Sequence, residues 1–134
     1  KIFWRVAVKP GKPMFFGMNS KRSVFGLPGN PVSSLLSYLE FVRPALLKMM
    51  GRSDVFLPEK EAVLEEKIVK RPGRLHFVRG IYEEKQGSIR MKSSGLQDSH
   101  VLESFSRANC LILLDRDRTE FAKGSSVRIQ LLPW

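Results

Sequence analysis

The chain has 134 residues, 43% of them apolar, and carries 23 Lys and Arg against 13 Asp and Glu, a net charge of +10. This length favours one domain, or at most one domain plus a piece of another, and excludes a large multidomain enzyme within this chain alone. The lone Cys110 cannot close an internal disulfide, and its apolar neighbours predict a buried thiol in a reducing, cytoplasmic protein. Because no apolar run is long enough to span a bilayer, we expect a soluble protein.

The first segment alternates short strand patterns with Gly- and Pro-containing turns. A strand pattern is already under way at Lys1, without an initiator Met, so we expect a piece of a longer protein. The predicted strands are residues 3–8, residues 14–17 and a short buried strand at residues 23–27.

A helix is predicted next. Apolar residues recur at helical spacing over residues 32–46, and Gly51 is the expected terminator. Asn30 is a good N-cap, and Pro31 suits the first helical position. Pro44 lies inside the pattern and leaves one carbonyl without its N–H donor, so we expect a kink or a break there.

From residue 52 onward the pattern changes. Residues 52–58 have linker composition, and residues 101–107 favour no more than a helical turn. Short alternating runs between turns predict strands at residues 62–69, 74–82, 88–93, 110–114 and 126–132. Several short strands at this spacing favour a small β-barrel or a sandwich.

Positive charge is concentrated in residues 1–51, which hold eight Lys and Arg against one acid, or +7. The remaining 83 residues hold fifteen against twelve. Such a segment indicates an anionic partner, which could be nucleic acid, a membrane surface or a phosphorylated small molecule. The bases sit beside Gly and Pro in loops, whereas nucleic-acid binders tend to place them along a helix face or between stacking aromatics.

The turn Pro28-Gly29-Asn30-Pro31, followed by Ser33, is the first candidate site. A helix that starts in this way directs backbone N–H groups and the positive end of its dipole beyond the preceding strand. Ligands of α/β proteins bind at that place. The same residues would also serve as a rigid connector with a good helix cap.

The loop Lys9-Pro10-Gly11-Lys12-Pro13 is the second candidate, with two ammonium groups on a backbone that its prolines restrict. Arg5 lies four residues before Lys9, so in a strand the two side chains share a face. Preorganised cations of this kind suit a phosphate or another oxyanion. A solvated surface loop is the alternative.

A third group, Arg74, His76 and Arg79, follows the turn Arg71-Pro72-Gly73. It predicts either a second anion-binding edge or only the polar face of an exposed strand. With two His and one Cys, the sequence lacks the ligand set of a zinc site. It also contains neither a Gly-x-Ser-x-Gly elbow nor a Cys–His hydrolase pattern.

In combination and in order, these motifs resemble the C-terminal part of the MoeA family of molybdopterin molybdenumtransferases, to which the E domain of gephyrin is related. The motifs are Lys9-Pro10-Gly11-Lys12-Pro13, Gly17, Leu27 to Ser33, Arg43-Pro44-Ala45-Leu46, Pro72-Gly73-Arg74, Arg79-Gly80 and Gln97-x-Ser99. The resemblance implies an α+β fold. Residues 1–51 would be the C-terminal half of a molybdopterin-binding, MogA-like α/β domain, and residues 52–134 a small all-β, barrel-like C-terminal domain.

The resemblance also implies a function, the insertion of molybdenum from molybdate into adenylylated molybdopterin with release of AMP. Mg²⁺ or a similar cation assists, and the active-site cleft lies at the interface of a cytoplasmic homodimer. The resemblance implies contact with the molybdopterin adenylyltransferase. It implies neither a nucleic-acid partner nor a membrane partner. The family's Gly-Gly-x-Ser-x-Gly-x-x-Asp motif and its metal-associated acids are absent from this sequence. We therefore expect no metal ligand and no catalysis by this chain alone.

Position by position, the resemblance gives Arg5 and Lys9 catalytic roles at the edge of the cleft. Cofactor-binding roles are implied for Lys12, Pro28, Gly29, Asn30, Pro31, Ser33, Arg79 and Ser99. Arg5 stands where the family often has Lys, a change that keeps the charge, and Asp98 stands where many relatives have Gly.

Two alternatives from other classes stay open. One is a non-catalytic scaffold module of the gephyrin E-domain type, which would require an exposed apolar groove for a peptide. The other is a basic nucleic-acid-binding β-barrel, which salt-dependent binding to oligonucleotides of unrelated sequence would reveal.

Overall fold

Three short strands form an antiparallel sheet near the start of the chain. The computed structural model describes residues 3–95, 97 and 102–134. The sheet consists of β1 (Phe3–Trp4), β3 (Phe15–Met18) and β4 (Ser23–Gly26), paired in the order β1-β3-β4. The intervening strand β2 (Val8–Lys9) belongs to a different sheet.

Two expectations for this segment are wrong. The strand expected over residues 3–8 is interrupted at Arg5, whose φ of 100° takes the backbone out of the extended region. The strand expected to be buried at residues 23–27 is largely exposed, with Val24 at 55% and Leu27 at 38%. It forms the edge of its sheet.

The predicted helix forms in three consecutive segments, α1 (Pro31–Ser37), a π-helical segment (Tyr38–Val42) and α2 (Arg43–Met49). At the end of the π-helical segment, the N–H of Arg43 donates to the carbonyl of Tyr38, five residues back. Pro44 has no N–H to continue the α-helical hydrogen-bond ladder, and the wider π-helical turn before it accommodates this missing donor. The expected interruption at Pro44 is confirmed, and Gly51 follows the helix with φ of 83°.

The second segment forms a closed five-stranded β-barrel. Its strands are β5 (Glu59–Leu64), β7 (Leu75–Lys85), β8 (Ser88–Ser93), β9 (Cys110–Leu114) and β11 (Ser126–Leu131). They pair in the order β7-β8-β5-β11-β9, and β9 pairs back onto β7. The predicted fold class, α+β with a small barrel, is therefore confirmed, and the sandwich is not formed.

Three smaller elements complete this segment. The run predicted as one strand over residues 62–69 divides into β5 and a separate β6 (Ile68–Val69). β6 pairs with β10 (Glu120–Phe121), which was not predicted because two residues in a charged stretch show no periodicity. The expected helical turn is α3 (Glu103–Arg107). The division into domains at residues 51 and 52 stays a prediction.

Apolar side chains fill the barrel, and a second group of them attaches the helix to the barrel wall. One cluster lies inside the barrel and includes Leu64, Met91, Ile112 and Ile129. The other joins Val32, Leu36 and Leu39 of the helix to Phe77, Leu111 and Leu113 of the barrel wall. The expected burial of Cys110 is confirmed, and this burial raises the pKa of its thiol to about 12.

Backbone hydrogen bonds add a second link between the segments. β2 pairs in parallel with the start of β7, so that Val8 is opposite Leu75 and Lys9 is opposite His76. The N–H of Leu75 donates to the carbonyl of Ala7 at 3.0 Å. The residues before β2 and the turn before β7 therefore lie side by side.

A buried carboxyl group lies at the contact between helix and barrel. Gln130 Nε2 of β11 lies 3.4 Å from Glu40 Oε2 and 3.4 Å from Glu59 Oε1. Burial raises the pKa of Glu40 from 4.5 to about 7; the Gln130 hydrogen bond lowers it and the Glu59 charge raises it further. Glu40 thus keeps its proton in the folded chain at pH values where it is ionised in the unfolded chain.

This difference predicts that Glu40 makes stability fall as pH rises. Its proton contributes fully below the unfolded pKa of 4.5, and the contribution is lost as pH rises through about 7. Relative to the wild type, Glu40→Gln should raise the free energy of unfolding by roughly 1–3 kcal/mol near pH 8 and by much less near pH 5. Chemical denaturation at both pH values measures the difference. Glu61→Gln, at an exposed position of β5, is the matched control, and equal effects of the two variants would contradict the prediction.

Candidate functional site

Two neighbouring cavities with basic walls lie where the first segment meets the barrel. The first basic cavity, about 360 Å³, is lined chiefly by Lys9, Lys70, Arg71, Pro72, Arg74 and His76. The second basic cavity, about 420 Å³, is lined chiefly by Arg5, Val6, Lys12, Pro72, Gly73 and Arg74. Pro72 and Arg74 belong to both. None of the described residues that line them is acidic, so the potential in both cavities favours an anion.

The loop before β3 holds its cations on a constrained backbone. The N–H of Arg5 donates to the carbonyl of Met14 at 2.9 Å, which closes the loop that carries Lys12. Arg5 has a positive φ of 100°, a conformation uncommon outside glycine and concentrated at functional sites. Gly11, with φ of 113°, packs against α1 so closely that a Cβ would lie 3.1 Å from Ser37 Oγ. The helix therefore supports the loop from behind.

Lys70 holds the turn that both cavities share. Its side chain is buried, and Nζ donates to the carbonyls of Arg71 and Arg74 at 3.4 Å each and of Arg116 at 3.1 Å. The N–H of Gly73 donates to the Arg116 carbonyl at 3.0 Å. In the described part of the chain, no carboxylate pairs with this ammonium group. Its charge therefore adds to the attraction of the first basic cavity for an anion.

His76 is a neutral member of the first basic cavity. Burial, followed by the charges of Lys9, Lys70, Arg74 and Arg79, lowers the pKa of His76 from 6.5 to about 4. At neutral pH the imidazole is uncharged and offers one donor and one acceptor. The fixed positive charge of the cavity therefore comes from its Lys and Arg side chains.

Three of the residues expected at the site lie together in the structure. Lys9 lines the first basic cavity, and Arg5 and Lys12 line the second. The long-range neighbour that they share is Arg74, which belongs to the third candidate group of the sequence. The sequence allows two interpretations of that group, an anion-binding edge and the polar face of an exposed strand. The position of Arg74 and His76 in the wall of the first basic cavity favours the first. The catalytic roles of Lys9 and Arg5 and the cofactor-binding role of Lys12 stay predictions.

The turn Pro28–Pro31 and Ser33 line neither basic cavity. Asn30 Oδ1 accepts from the N–H of Val32 at 3.1 Å and of Ser33 at 3.3 Å, and the Asn30 carbonyl accepts from Ser34 N–H at 2.8 Å. Pro31 has no N–H. The expectation of free N–H groups in the first helical turn is therefore wrong, because those donors are bonded within the chain. Cofactor binding by other groups of Pro28, Gly29, Asn30, Pro31 and Ser33 stays a prediction.

Arg79 and Ser99 were expected to contribute to the same cleft. Arg79 is 1% exposed, its Nε donates to Ser104 Oγ at 2.7 Å, and its guanidinium lies 5.5 Å from the centre of the Phe105 ring. It lines neither basic cavity. Ser99 lies outside the described residues. Both cofactor-binding roles stay predictions.

Sequence reasoning missed Lys70 and included Arg71 only as part of the turn before the third candidate group. A usable signal was present, because Arg71-Pro72-Gly73-Arg74 repeats the pattern of Lys9-Pro10-Gly11-Lys12, a Pro-Gly pair between two bases. The two motifs are 62 positions apart in the chain and meet only through the pairing of β2 with β7. Neither motif by itself indicates this meeting.

The described residues contain no cluster of metal-ligating side chains. Over residues 3–95, 97 and 102–134, no group of three or more His, Cys, Asp or Glu side chains is placed to hold a metal ion. Carboxylate oxygens are the protein ligands that Mg²⁺ prefers, so these residues do not fit a magnesium site. None of the helices in these ranges combines the length and the hydropathy that a membrane span requires.

Comparison with protein families agrees with this architecture. Residues 61–132 match the MoeA C-terminal region (domain IV), and residues 1–48 match a probable molybdopterin binding domain. The chain therefore belongs to the MoeA family, and the resemblance inferred from its motifs is confirmed.

Individual relatives carry more specific names. Molybdopterin molybdenumtransferase of Haemophilus influenzae is 38% identical over 130 residues, which are 96% of this chain and 32% of that protein. Molybdopterin molybdenumtransferase 2 of Mycobacterium tuberculosis is 35% identical over 127 residues, 95% of this chain and 31% of that protein. The crystal structure of the MoeA protein of Pyrococcus horikoshii OT3 gives a TM-score of 0.79 at 30% identity, over 98% of this chain and 32% of that chain. The chain thus spans about a third of the length of these relatives.

The contacts of Lys70 predict that it stabilises the shared turn. Lys70→Met keeps the length of the side chain but removes its three hydrogen bonds, and should lower the free energy of unfolding by roughly 1–3 kcal/mol. Amide exchange of Gly73 should accelerate as the turn loosens. Lys67→Met is the matched control, because Lys67 is exposed and makes only a surface ion pair with Glu120. Equal stability and Gly73 exchange in the two variants would contradict this role.

Proposed function

We propose that this chain is the C-terminal part of a molybdopterin molybdenumtransferase. The longer protein inserts molybdenum from molybdate into adenylylated molybdopterin and releases AMP. Relatives of this name match nearly the whole chain, which supports the proposal. The comparisons favour neither the scaffold module nor the nucleic-acid-binding barrel.

The observation that carries the proposal is the meeting of two basic Pro-Gly loops at one place. Lys9 and Lys12 come from the first loop, and Arg71 and Arg74 from the second. Both proposed substrates are anions, since molybdate is an oxyanion and adenylylated molybdopterin carries phosphate groups. Cations held on constrained loops bind such groups without first having to be ordered, which favours affinity.

In this proposal, Lys9 and Arg5 act at the reacting groups. Held beside the adenylate phosphate, they stabilise the negative charge that develops as the adenylate bond breaks. Lys12 holds a phosphate of the same substrate as a point charge, whereas the guanidinium of Arg5 offers a bidentate fork. The resemblance alone supports pterin contacts by Pro28, Gly29, Asn30, Pro31, Ser33, Arg79 and Ser99.

Further properties of the longer protein rest on the resemblance. We propose that it is a cytoplasmic homodimer and that it receives its substrate by contact with the molybdopterin adenylyltransferase. Mg²⁺ is included as a cofactor, with ligands other than the residues described here. No step in the role of this chain depends on that ion.

Binding of the substrate tests the proposal. Lys9→Ala should weaken binding of adenylylated molybdopterin about tenfold or more, because a charge-assisted hydrogen bond contributes about 1.5–3 kcal/mol. Its thermal stability should change little, since Lys9 is exposed. Calorimetric titration and thermal unfolding measure the two effects at two salt concentrations.

Lys21→Ala is the matched control, with the same loss of charge at an exposed position outside both basic cavities. It should bind like the wild type. Unchanged affinity in Lys9→Ala, or an equal loss in both variants, would exclude Lys9 as a substrate contact. A further outcome is that the wild-type chain binds neither molybdopterin nor its adenylylated form while a full-length relative binds both. That result would mean that this chain does not form the site by itself.

A further inference from the structure

His76 occupies an unusual position among the cations of the first basic cavity. It lies on β7 opposite Lys9 of β2 and opposite Leu114 of β9, and its half-buried side chain lines the cavity. Its imidazole makes no hydrogen bond to any of the described residues. A nitrogen heterocycle without a protein partner, beside an anion-attracting cavity, is available to a bound ligand.

The charged groups that act on His76 all have the same sign. Lys9 faces it from β2, Lys70 from the end of β6, Arg74 from the shared turn and Arg79 from its own strand. The neighbouring position on β9 is the apolar Leu114. Burial and these four cations keep the imidazole neutral at neutral pH.

A dianion bound in the cavity would favour the protonated form of the His76 imidazole over the neutral form. Its charge offsets the cations, and a negative group close to an imidazole favours the protonated form. The protonated ring donates a hydrogen bond to the ligand, and charge-assisted hydrogen bonds are the stronger kind. Binding of the anion and uptake of the proton therefore strengthen each other, as linkage requires.

We propose that His76 is a proton-linked ligand of the first basic cavity: a tetrahedral dianion bound by Lys9, Lys70 and Arg74 recruits one proton from solvent onto the imidazole, which then donates a hydrogen bond to it. The N–H bond forms as a hydronium ion or a buffer acid gives up its proton, and no other covalent bond changes. The inference rests on the proposed function in that it concerns the same site. The tetrahedral dianion could be a phosphoryl group of the pterin substrate or free molybdate.

Calorimetry of the chain with sulfate, and separately with molybdate, tests the inference. Both ligands stay dianionic between about pH 6 and pH 8, so uptake of protons reports on the protein. We expect about tenfold tighter binding near pH 6 than near pH 8. Titration in two buffers of different ionisation enthalpy should show uptake of close to one proton near pH 6.

Nitrogen-15 NMR of the histidine side chains identifies the group. The chain has only two histidines, so His100→Gln leaves the signal of His76 alone. This signal should change from the neutral to the protonated form when sulfate or molybdate is added. His76→Gln should abolish proton uptake and the pH dependence of affinity, while His100→Gln should retain both. A merely structural role of His76 would leave proton uptake unchanged.

Competition distinguishes the two sources of the dianion. Displacement of bound sulfate by adenylylated molybdopterin indicates that the cavity takes a phosphoryl group of that substrate. Simultaneous binding of molybdate and the pterin indicates a site for the free oxyanion. Either result agrees with the proposed chemistry.

Three results would overturn the inference. These are binding of both oxyanions without proton uptake, a His76 signal that stays neutral in the complex, and the absence of oxyanion binding at either pH. Pterin binding without proton uptake would refute the inference and leave the proposed function intact. Proton-linked oxyanion binding without any binding of the pterin by a full-length relative would refute the function and leave the inference intact.

Discussion

The basic site depends on a very short piece of parallel sheet. Val8 and Lys9 pair with Leu75 and His76, and this pairing is the only ladder that joins the first segment to the barrel in the part of the chain described. Strand β7 has room for it because its first residues reach beyond β8, while β9 covers the other side. This pairing holds the two loops, which are 62 positions apart in the chain, side by side.

Bringing cations together costs free energy, which must be offset elsewhere. Two like charges about 4 Å apart repel by about 1 kcal/mol in water and by more near a protein surface. The buried helix residues Val32, Leu36 and Leu39 each contribute roughly 1.5–3 kcal/mol against the barrel wall. Apolar packing behind the site therefore acts against the repulsion within it. The site can remain electrostatically unsatisfied, which suits it to accept an anion.

Local patterns predicted the elements better than the contacts between them. The strands at residues 88–93 and 110–114 and the interruption at Pro44 followed from alternation and from the missing proline N–H, which act over a few residues. The break at Arg5 did not, because its positive φ depends on a hydrogen bond to Met14 across the loop. The first helical turn also differed, since Asn30 satisfies the N–H groups that were expected to face a ligand.

The sequence by itself determined the type of fold, the buried Cys110 and the concentration of positive charge in the first segment, because periodicity, apolar runs and charge are properties of neighbouring residues. The ordered motifs likewise determined the family. Only the tertiary structure decided that Arg74 lies beside Lys9 and Lys12, that Lys70 holds the shared turn and that Arg79 is buried against α3, away from both basic cavities. The physical reason is that barrel closure and the β2–β7 register depend on contacts between residues far apart in the chain, and no local pattern encodes their distance or direction.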